Sequence, residues 1–213
     1  MAVRGDLGRA QADHRRRLDG AETALSSPPA PPLILASTSP QRRAILTQLE
    51  IPFEVVAPDY EELPGTGQLE RAAGKARSVE PDERPVLGVD TEVLFNGELL
   101  GKPANEAEAE AMLEMLAGTT HSVVSGLCLR TIAWEELHEE TTLVTFRSLT
   151  PRELAHYVES YEWEGRAGGY AIQGLGASLV ERIEGDFLNV VGLPGSLLVR
   201  VLASRFAGVY GFG

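Results

Sequence analysis

The sequence predicts an α/β protein built on a mixed sheet, and three observations carry that reading. Strand-like and helix-like segments alternate from Leu33 to about Val79. The middle of the chain reads instead as strands joined by hairpins. The 213 residues suffice for one domain with a sizeable core, or for two small lobes sharing one sheet. Sites in such sheets lie at loops beyond strand ends.

Taken in order, Leu33-Ile34-Leu35-Ala36 is a short apolar strand. Ser39 is the N-cap of a helix opened by Pro40 and running to about Leu49. Phe53–Ala57 forms a second strand. Gln68–Val79 is a helix with Leu69, Ala72, Ala73, Ala76 and Val79 on one face. Val86–Phe95 is the strongest strand signal, and Asn96-Gly97 turns it by a type I′ hairpin into Glu98–Leu100. A helix over Asn105–Leu116 ends at Gly118. Strands follow near Ser122–Thr131 and Leu137–Phe146. Thr150-Pro151-Arg152-Glu153 is a capping box for a helix to about Ser160. A glycine-rich stretch, a strand near Ser178–Ile183 and a helix near Ser196–Phe206 complete the chain. Residues 1–32 stand apart, with Arg15-Arg16-Arg17 and a run from Ser26 to Pro32 whose prolines cannot continue a helix. They read as a disordered tail with a short helix near Arg9–Leu25, leaving 33–213 as the folded domain.

Net charge is -12, from 31 acidic and 19 basic side chains. That balance disfavours a stable complex with long nucleic acid, which is gripped through a basic face. It leaves room for a small anion at a locally basic site. No apolar run is long enough to cross a bilayer, and residues 1–32 hold no apolar signal core, so the expectation is a cytoplasmic protein with no membrane contact. The one cysteine, Cys128, excludes an intrachain disulfide; its apolar neighbours read as a buried, inert thiol. Four histidines, His14, His121, His138 and His156, show no metal-ligand spacing. Trp134 and Trp163 lie in polar stretches and read as partly packed rather than as base-stacking platforms.

Four constellations can carry chemistry. Ser37-Thr38-Ser39-Pro40-Gln41-Arg42-Arg43 joins a buried strand to a helix N-terminus, where free N–H groups and the helix dipole attract anions. Arginines in a first turn oppose the dipole, and a bound phosphate would account for them; side chains pointing to solvent would account for them equally well. In Val86–Phe95, alternation puts Leu87, Val89, Thr91, Val93 and Phe95 on one face and Asp90 with Glu92 on the other. A carboxylate within an apolar strand needs a partner, either a divalent metal or a lysine. Asp90 is thus a candidate metal ligand or general base, unless its face is solvated. The only two lysines are Lys75, in the preceding helix, and Lys102, in Gly101-Lys102-Pro103 after the hairpin. Near phosphates they would offset charge on departing pyrophosphate; singly, each also fits a surface lysine. Last, Arg166-Ala167-Gly168-Gly169-Tyr170-Ala171-Ile172-Gln173-Gly174 permits close backbone approach, and the Gln173 amide can read a base edge. It matches neither the Rossmann nor the P-loop fingerprint.

From Leu33 to about Leu198 the chain resembles the Maf family of nucleotide pyrophosphatases. The resemblance rests on LILASTSPQRRAIL, IPFEVVAPDYEE, AAGKA, GVDTEVLFNGELLGKPANEAEAEAMLEMLAGTTHSVVSG and GRAGGYAIQGLGASLVERIEGDFLNVVGLP, in that order. It implies an elongated mixed sheet like that of the inosine-triphosphate pyrophosphatases, with helices on both sides and a cleft between two lobes. It implies hydrolysis of a nucleoside triphosphate to monophosphate and pyrophosphate, dependent on Mg²⁺ or Mn²⁺, in a homodimer. By the same resemblance Asp90 accepts the proton. Ser37, Arg42, Lys75 and Lys102 line the phosphates, Glu62 joins Asp90 at the metal, and Thr91 with Gln173 marks a branch similar to dTTP/UTP pyrophosphatases. The chain departs from the family in having Gln41 for an arginine, Glu92 for an apolar residue, Arg166 for a lysine, and a short loop between Glu62 and Lys75. These departures keep two further readings open: a non-catalytic nucleotide-binding regulator of cell division, and the same chemistry on a modified purine such as 7-methyl-GTP.

Overall fold

The computed structural model describes residues 30–63 and 65–213. The tail expected over residues 1–32, with its short helix, lies outside the described residues except at Ala30–Pro32.

Strand β1 (Leu33–Ala36) is buried along its whole length. Helix α1 (Pro40–Gln48) follows, with Ser39 accepting from the Arg42 N–H and Pro40 at the start. Strand β2 (Phe53–Val56) lies parallel to β1. Helix α2 (Gln68–Arg77) buries Ala72, Ala73 and Ala76. Strand β3 (Val86–Phe95) turns through Asn96 and Gly97, with φ of 52° and 82°, into β4 (Glu98–Leu100). Both positive values are what a type I′ turn requires. Helix α3 (Glu106–Leu116) is capped by Asn105. The long strands β5 (Thr120–Arg130) and β6 (Glu135–Phe146) each begin two residues before the predicted start. Helix α4 (Pro151–Val158) carries the complete capping box between Thr150 and Glu153. Strand β7 (Val180–Glu184) starts later than Ser178 because Leu175–Leu179 coils into a 3₁₀ turn. Helix α5 (Phe187–Val191) precedes α6 (Gly195–Arg205) and was not predicted. Its five residues are too few to display a helical period.

The seven strands form one mixed sheet in the order β2-β1-β3-β5-β6-β7, with β4 added to β3. Pairings of β1 with β2 and β3 are parallel, and all later ones are antiparallel. This follows the predicted change from helical crossovers to hairpins. Two apolar clusters flank the middle of β3. One gathers Ile34, Ala72, Ala76, Val86 and Cys128; the other gathers Val93, Leu113, Phe146 and Tyr157. Since β3 runs from Val86 in the first to Val93 in the second, Asp90 falls between two lobes of core that share the sheet.

Helix α2 packs on one face of β3 and β5 at very short range. A methyl group at Gly88 would lie 2.2 Å from the Ala72 carbonyl oxygen, and one at Gly126 2.5 Å from that of Gln68. Asp90 pairs with Gly126 across the strands, so Gly88, Gly126, Asp90 and Glu92 share the face under α2. On the opposite face α5 is anchored by Asn189, which donates to the Val123 carbonyl (3.1 Å) and to the Thr142 hydroxyl (3.1 Å). Helices thus cover both faces where Asp90 sits.

Gly88→Ala should therefore destabilise the protein by about 1–3 kcal/mol through overpacking. Gly101→Ala, where an added methyl meets nothing within 4 Å, should change stability by less than about 0.5 kcal/mol. Urea denaturation compares the two. Cys128 is fully buried, and burial pushes its thiol up to about 12. Iodoacetamide at pH 8.5 should leave it untouched in the native protein and alkylate it after denaturation; rapid native labelling would contradict that placement.

Candidate active site

The turn from β1 into α1 is tied down by its own serines. The Ser39 N–H donates to the Ser37 hydroxyl (3.2 Å), and the Ser39 hydroxyl donates to the Gln41 side-chain oxygen (3.1 Å). Arg42, on the first turn of α1, bends back over this loop. Its Nη1 donates to Ser37 (3.1 Å) and its Nε to the carbonyl of Gly192 (2.9 Å). Burial lowers the Arg42 pKa, with the charges of Asp90 and then Glu62 opposing that shift. Among the described residues no carboxylate pairs with Arg42 directly. Its guanidinium is held by neutral oxygens at the N-terminal end of a helix, the environment in which an anion is most strongly favoured. Arg43 is exposed and does not line the cavity described below, so it does not replace the charge absent at Gln41.

Asp90 occupies the middle of β3 with 7% of its surface exposed. Its two oxygens are held by two cations from α2. Lys75 Nζ lies 2.5 Å from Oδ1, and Arg71 Nε lies 2.7 Å from Oδ2. Arg71 also bonds Glu92 and the carbonyl of Thr66. Burial works against the Arg71 charge, but the bonds to Glu92 and then Asp90 hold its pKa above the ordinary arginine value. Lys75 in turn reaches Glu62 at 2.6 Å. Positions 71 and 75 share one helix face, and positions 90 and 92 share one strand face. The glycine seats under α2 bring those faces together. Sequence reasoning singled out Lys75 and missed Arg71. The signal was its spacing of four residues before Lys75, opposite two carboxylates two residues apart.

Glu62 is carried by the irregular chain after β2. The Tyr60 ring lies where a methyl at Gly74 would be, 2.1 Å from its ring carbon, so the bare backbone at Gly74 seats the loop beside Lys75. Thr91 points to the other face. Its hydroxyl shares a hydrogen bond with Ser125 (2.8 Å) and donates to the Gly192 carbonyl (3.3 Å). Gly192, with φ of 128°, closes α5. One carbonyl thus joins Arg42 to Thr91, a link with no local signature in the chain. Gln173 is exposed on the turn before the Leu175–Leu179 coil. That turn is held by Glu162, which accepts from the N–H groups of Leu175 (2.9 Å) and Gly176 (3.2 Å).

Ser37, Arg42, Glu62, Lys75, Asp90, Thr91, Lys102 and Gln173 all line one cavity of about 660 Å³. Gln41, Arg71, Glu92 and Arg166 line it too. Its charges divide into two sets. Glu62, Asp90 and Glu92 are engaged by Arg71 and Lys75. Arg42, Lys102 and Arg166 make no ion pair among the described residues, and the buried Nε of Arg166 has no hydrogen-bond partner. Among the described residues no histidine lines the cavity: His121 is buried and bonded to the Tyr170 hydroxyl (2.8 Å), and burial pushes it down to about 4. The tryptophans are packed away from the cavity, Trp163 donating to the Val158 carbonyl and Trp134 lying against Phe206 and Arg205. Among the described residues no three His, Cys, Asp or Glu side chains form a ready-made metal site.

Comparison with known proteins accords with this geometry. A dTTP/UTP pyrophosphatase of Deinococcus radiodurans is 46% identical over 191 residues, covering 86% of this chain and 97% of that protein. A dTTP/UTP pyrophosphatase of Bacillus mycoides is 42% identical over 178 residues, covering 80% and 93%. Among solved structures, the Staphylococcus aureus Ham1 protein aligns over 55% of this chain and 72% of its own at 14% identity, with a TM-score of 0.38, too low to bear on the argument. The model of the family described as Maf-like protein matches residues 32–205, the span that holds every cavity residue named above, and this chain belongs to that family.

Proposed function

We propose that residues 33–213 hydrolyse nucleoside triphosphates, dTTP and UTP foremost, to the monophosphate and pyrophosphate. The observation that carries this is the charge division of the cavity. Half-buried Arg42 and Arg166 and an exposed Lys102, without acid partners among the described residues, stand beside a carboxylate held in a buried strand, which suits a polyanion with an attacking water. The names and extent of the relatives support the same reaction and base preference.

In this reading Arg42, the α1 N-terminus, Lys102 and Arg166 bind the phosphate chain, with Ser37 fixing Arg42. Water attacks the α-phosphorus in line, and Asp90 takes its proton. The bond from that phosphorus to the bridging oxygen breaks, and pyrophosphate leaves with the electron pair. Lys75 and Lys102 offset the charge on the leaving group. Phosphoryl transfer asks a protein for positioning and electrostatics above all. Gln173 reads the base edge through its amide, and Thr91, which lines the same cavity, is the second residue of the base preference. A divalent metal fits the donor set. Asp90 and Glu62 supply hard oxygen ligands, each with lone pairs left beyond the Lys75 contact, and Mg²⁺ is commonly held by one or two carboxylates plus substrate phosphates. Mg²⁺ or Mn²⁺ bound there would neutralise phosphate charge and acidify a water. The reading extends to a homodimer, which the family resemblance implies, working in the cytoplasm; among the described residues no helix is long and apolar enough to cross a membrane.

A panel of dTTP, UTP, the other common nucleotides and 7-methyl-GTP, with Mg²⁺, Mn²⁺ or chelator, tests the proposal by pyrophosphate release. Release should be fastest from dTTP and UTP and should stop with chelator. Asp90→Asn should lower kcat by roughly 10²–10⁴-fold, the range for losing a general base. Undiminished turnover in that variant would falsify the assignment of Asp90. Nucleotide binding without release from any triphosphate would replace the enzyme by a non-catalytic regulator. Gln41→Arg, which restores a cation at the lip of the phosphate loop, should raise kcat/KM by about tenfold, the worth of one charged hydrogen bond. Steady-state kinetics on dTTP measure it.

A further inference from the structure

We propose that Arg71, anchored by Glu92, is a positioning residue that fixes the Oδ2 oxygen of Asp90 and leaves Oδ1 for the reaction. The inference rests on the proposed role of Asp90 as the proton acceptor.

Arg71 makes three side-chain bonds, and each serves the placement of Asp90. Nε meets Oδ2 of Asp90 at 2.7 Å, Nη2 meets Glu92, and Nη1 meets the Thr66 carbonyl at the entry to α2. A guanidinium is planar and rigid, so two of its edges held by Glu92 and Thr66 fix the direction of the third. The side chains of Arg71, Glu92 and Asp90 are only 12%, 11% and 10% exposed. Bonds at that depth are screened much less than those between surface charges. Lys75 differs in kind. Its flexible ammonium is shared between Oδ1 of Asp90 and a Glu62 side chain that is 55% exposed. The contact on Oδ1 can therefore be exchanged when a triphosphate enters, whereas the contact on Oδ2 is clamped from behind.

The same geometry gives Glu92 a task. Where the family has an apolar residue, Glu92 does not face water; its bonded oxygen is committed to Arg71. Deleting Arg71 alone would leave two buried carboxylates on one strand face without their common cation. Deleting Glu92 alone would free the guanidinium edge that aims Arg71. Replacing both by apolar side chains removes the clamp and its counter-charge together, and a paired replacement of this kind is tolerated far better than a broken pair.

The test is a double-mutant cycle on dTTP hydrolysis with Arg71→Leu, Glu92→Val and the double variant, beside Arg71→Lys and Asp90→Asn. Folding is checked by circular dichroism and thermal melting. Arg71→Leu should lower kcat by more than about tenfold with KM changed less than about threefold. The double variant should recover at least about fivefold over Arg71→Leu, since contacting charges couple at roughly that level. Arg71→Lys should retain part of the lost kcat, because it keeps the charge but not the fork. If Arg71→Leu does not fold, Arg71→Lys and Glu92→Gln carry the test by the same separation of kcat from KM. Effects that multiply independently in the double variant, or a loss confined to KM, would overturn the proposal; the latter would make Arg71 a phosphate ligand. Asp90→Asn separates the two levels. If it is inert while the Arg71 and Glu92 effects are small or independent, the clamp fails and the reaction stands. If it remains active, the reading beneath the clamp fails.

Discussion

A carboxylate in the middle of a buried strand has to be paired, and the arrangement around Asp90 follows from that constraint. An unpaired charge there would cost several kcal/mol or be lost to protonation. The pairing comes from α2, which reaches Asp90 only because β3 and β5 present no side chain at Gly88 and Gly126. The alanines of α2 complete the seat, and Arg71 and Lys75, one helical turn apart, then stand over Asp90 and Glu92. Packing of small residues and pairing of large charges are one structural device here. The first sets the distance at which the second operates.

That device leaves the cavity electrically divided. The acids are satisfied from within the protein. Arg42, Lys102 and Arg166 have no acid partner among the described residues. A protein of net charge -12 would not attract a nucleotide by its overall field. Attraction has to arise locally, as at Arg42, which burial desolvates and which Ser37 and the Gly192 carbonyl aim. Gly192 also ties Arg42, on the first turn of α1, to Thr91 on the central strand, so that turn and the strand holding Asp90 keep a common frame.

Much of this was legible in the chain itself. Local chemistry with a strong signature came through to the residue: the Ser39-Pro40 start of α1, the Asn96-Gly97 turn, the Thr150–Glu153 box, and the full length of β3. Alternation along β3 correctly placed Asp90 and Glu92 on one face and Thr91 on the other. What escaped had no local signature. Helix α5 is shorter than the period that would reveal it. Glu62 lies in irregular chain, and only the family resemblance pointed to it. Arg71 was passed over because an arginine on an amphipathic helix ordinarily faces solvent, and only the close approach of α2 turns it inward. Lys102 and Gln173, 71 residues apart in sequence, share a cavity for reasons of topology alone.

The division of labour between the two charge sets is the centre of this account, and binding without turnover tests it most directly. Calorimetric titration of a non-hydrolysable dTTP analogue into the wild type, Arg42→Gln and Asp90→Asn separates the two roles. The account predicts that Arg42→Gln weakens binding by about tenfold or more, the worth of a charged hydrogen bond to phosphate, while Asp90→Asn binds within a few-fold of the wild type. Wild-type affinity in Arg42→Gln, with binding lost in Asp90→Asn, would contradict it and place the recognition of the phosphates on the acidic half of the site.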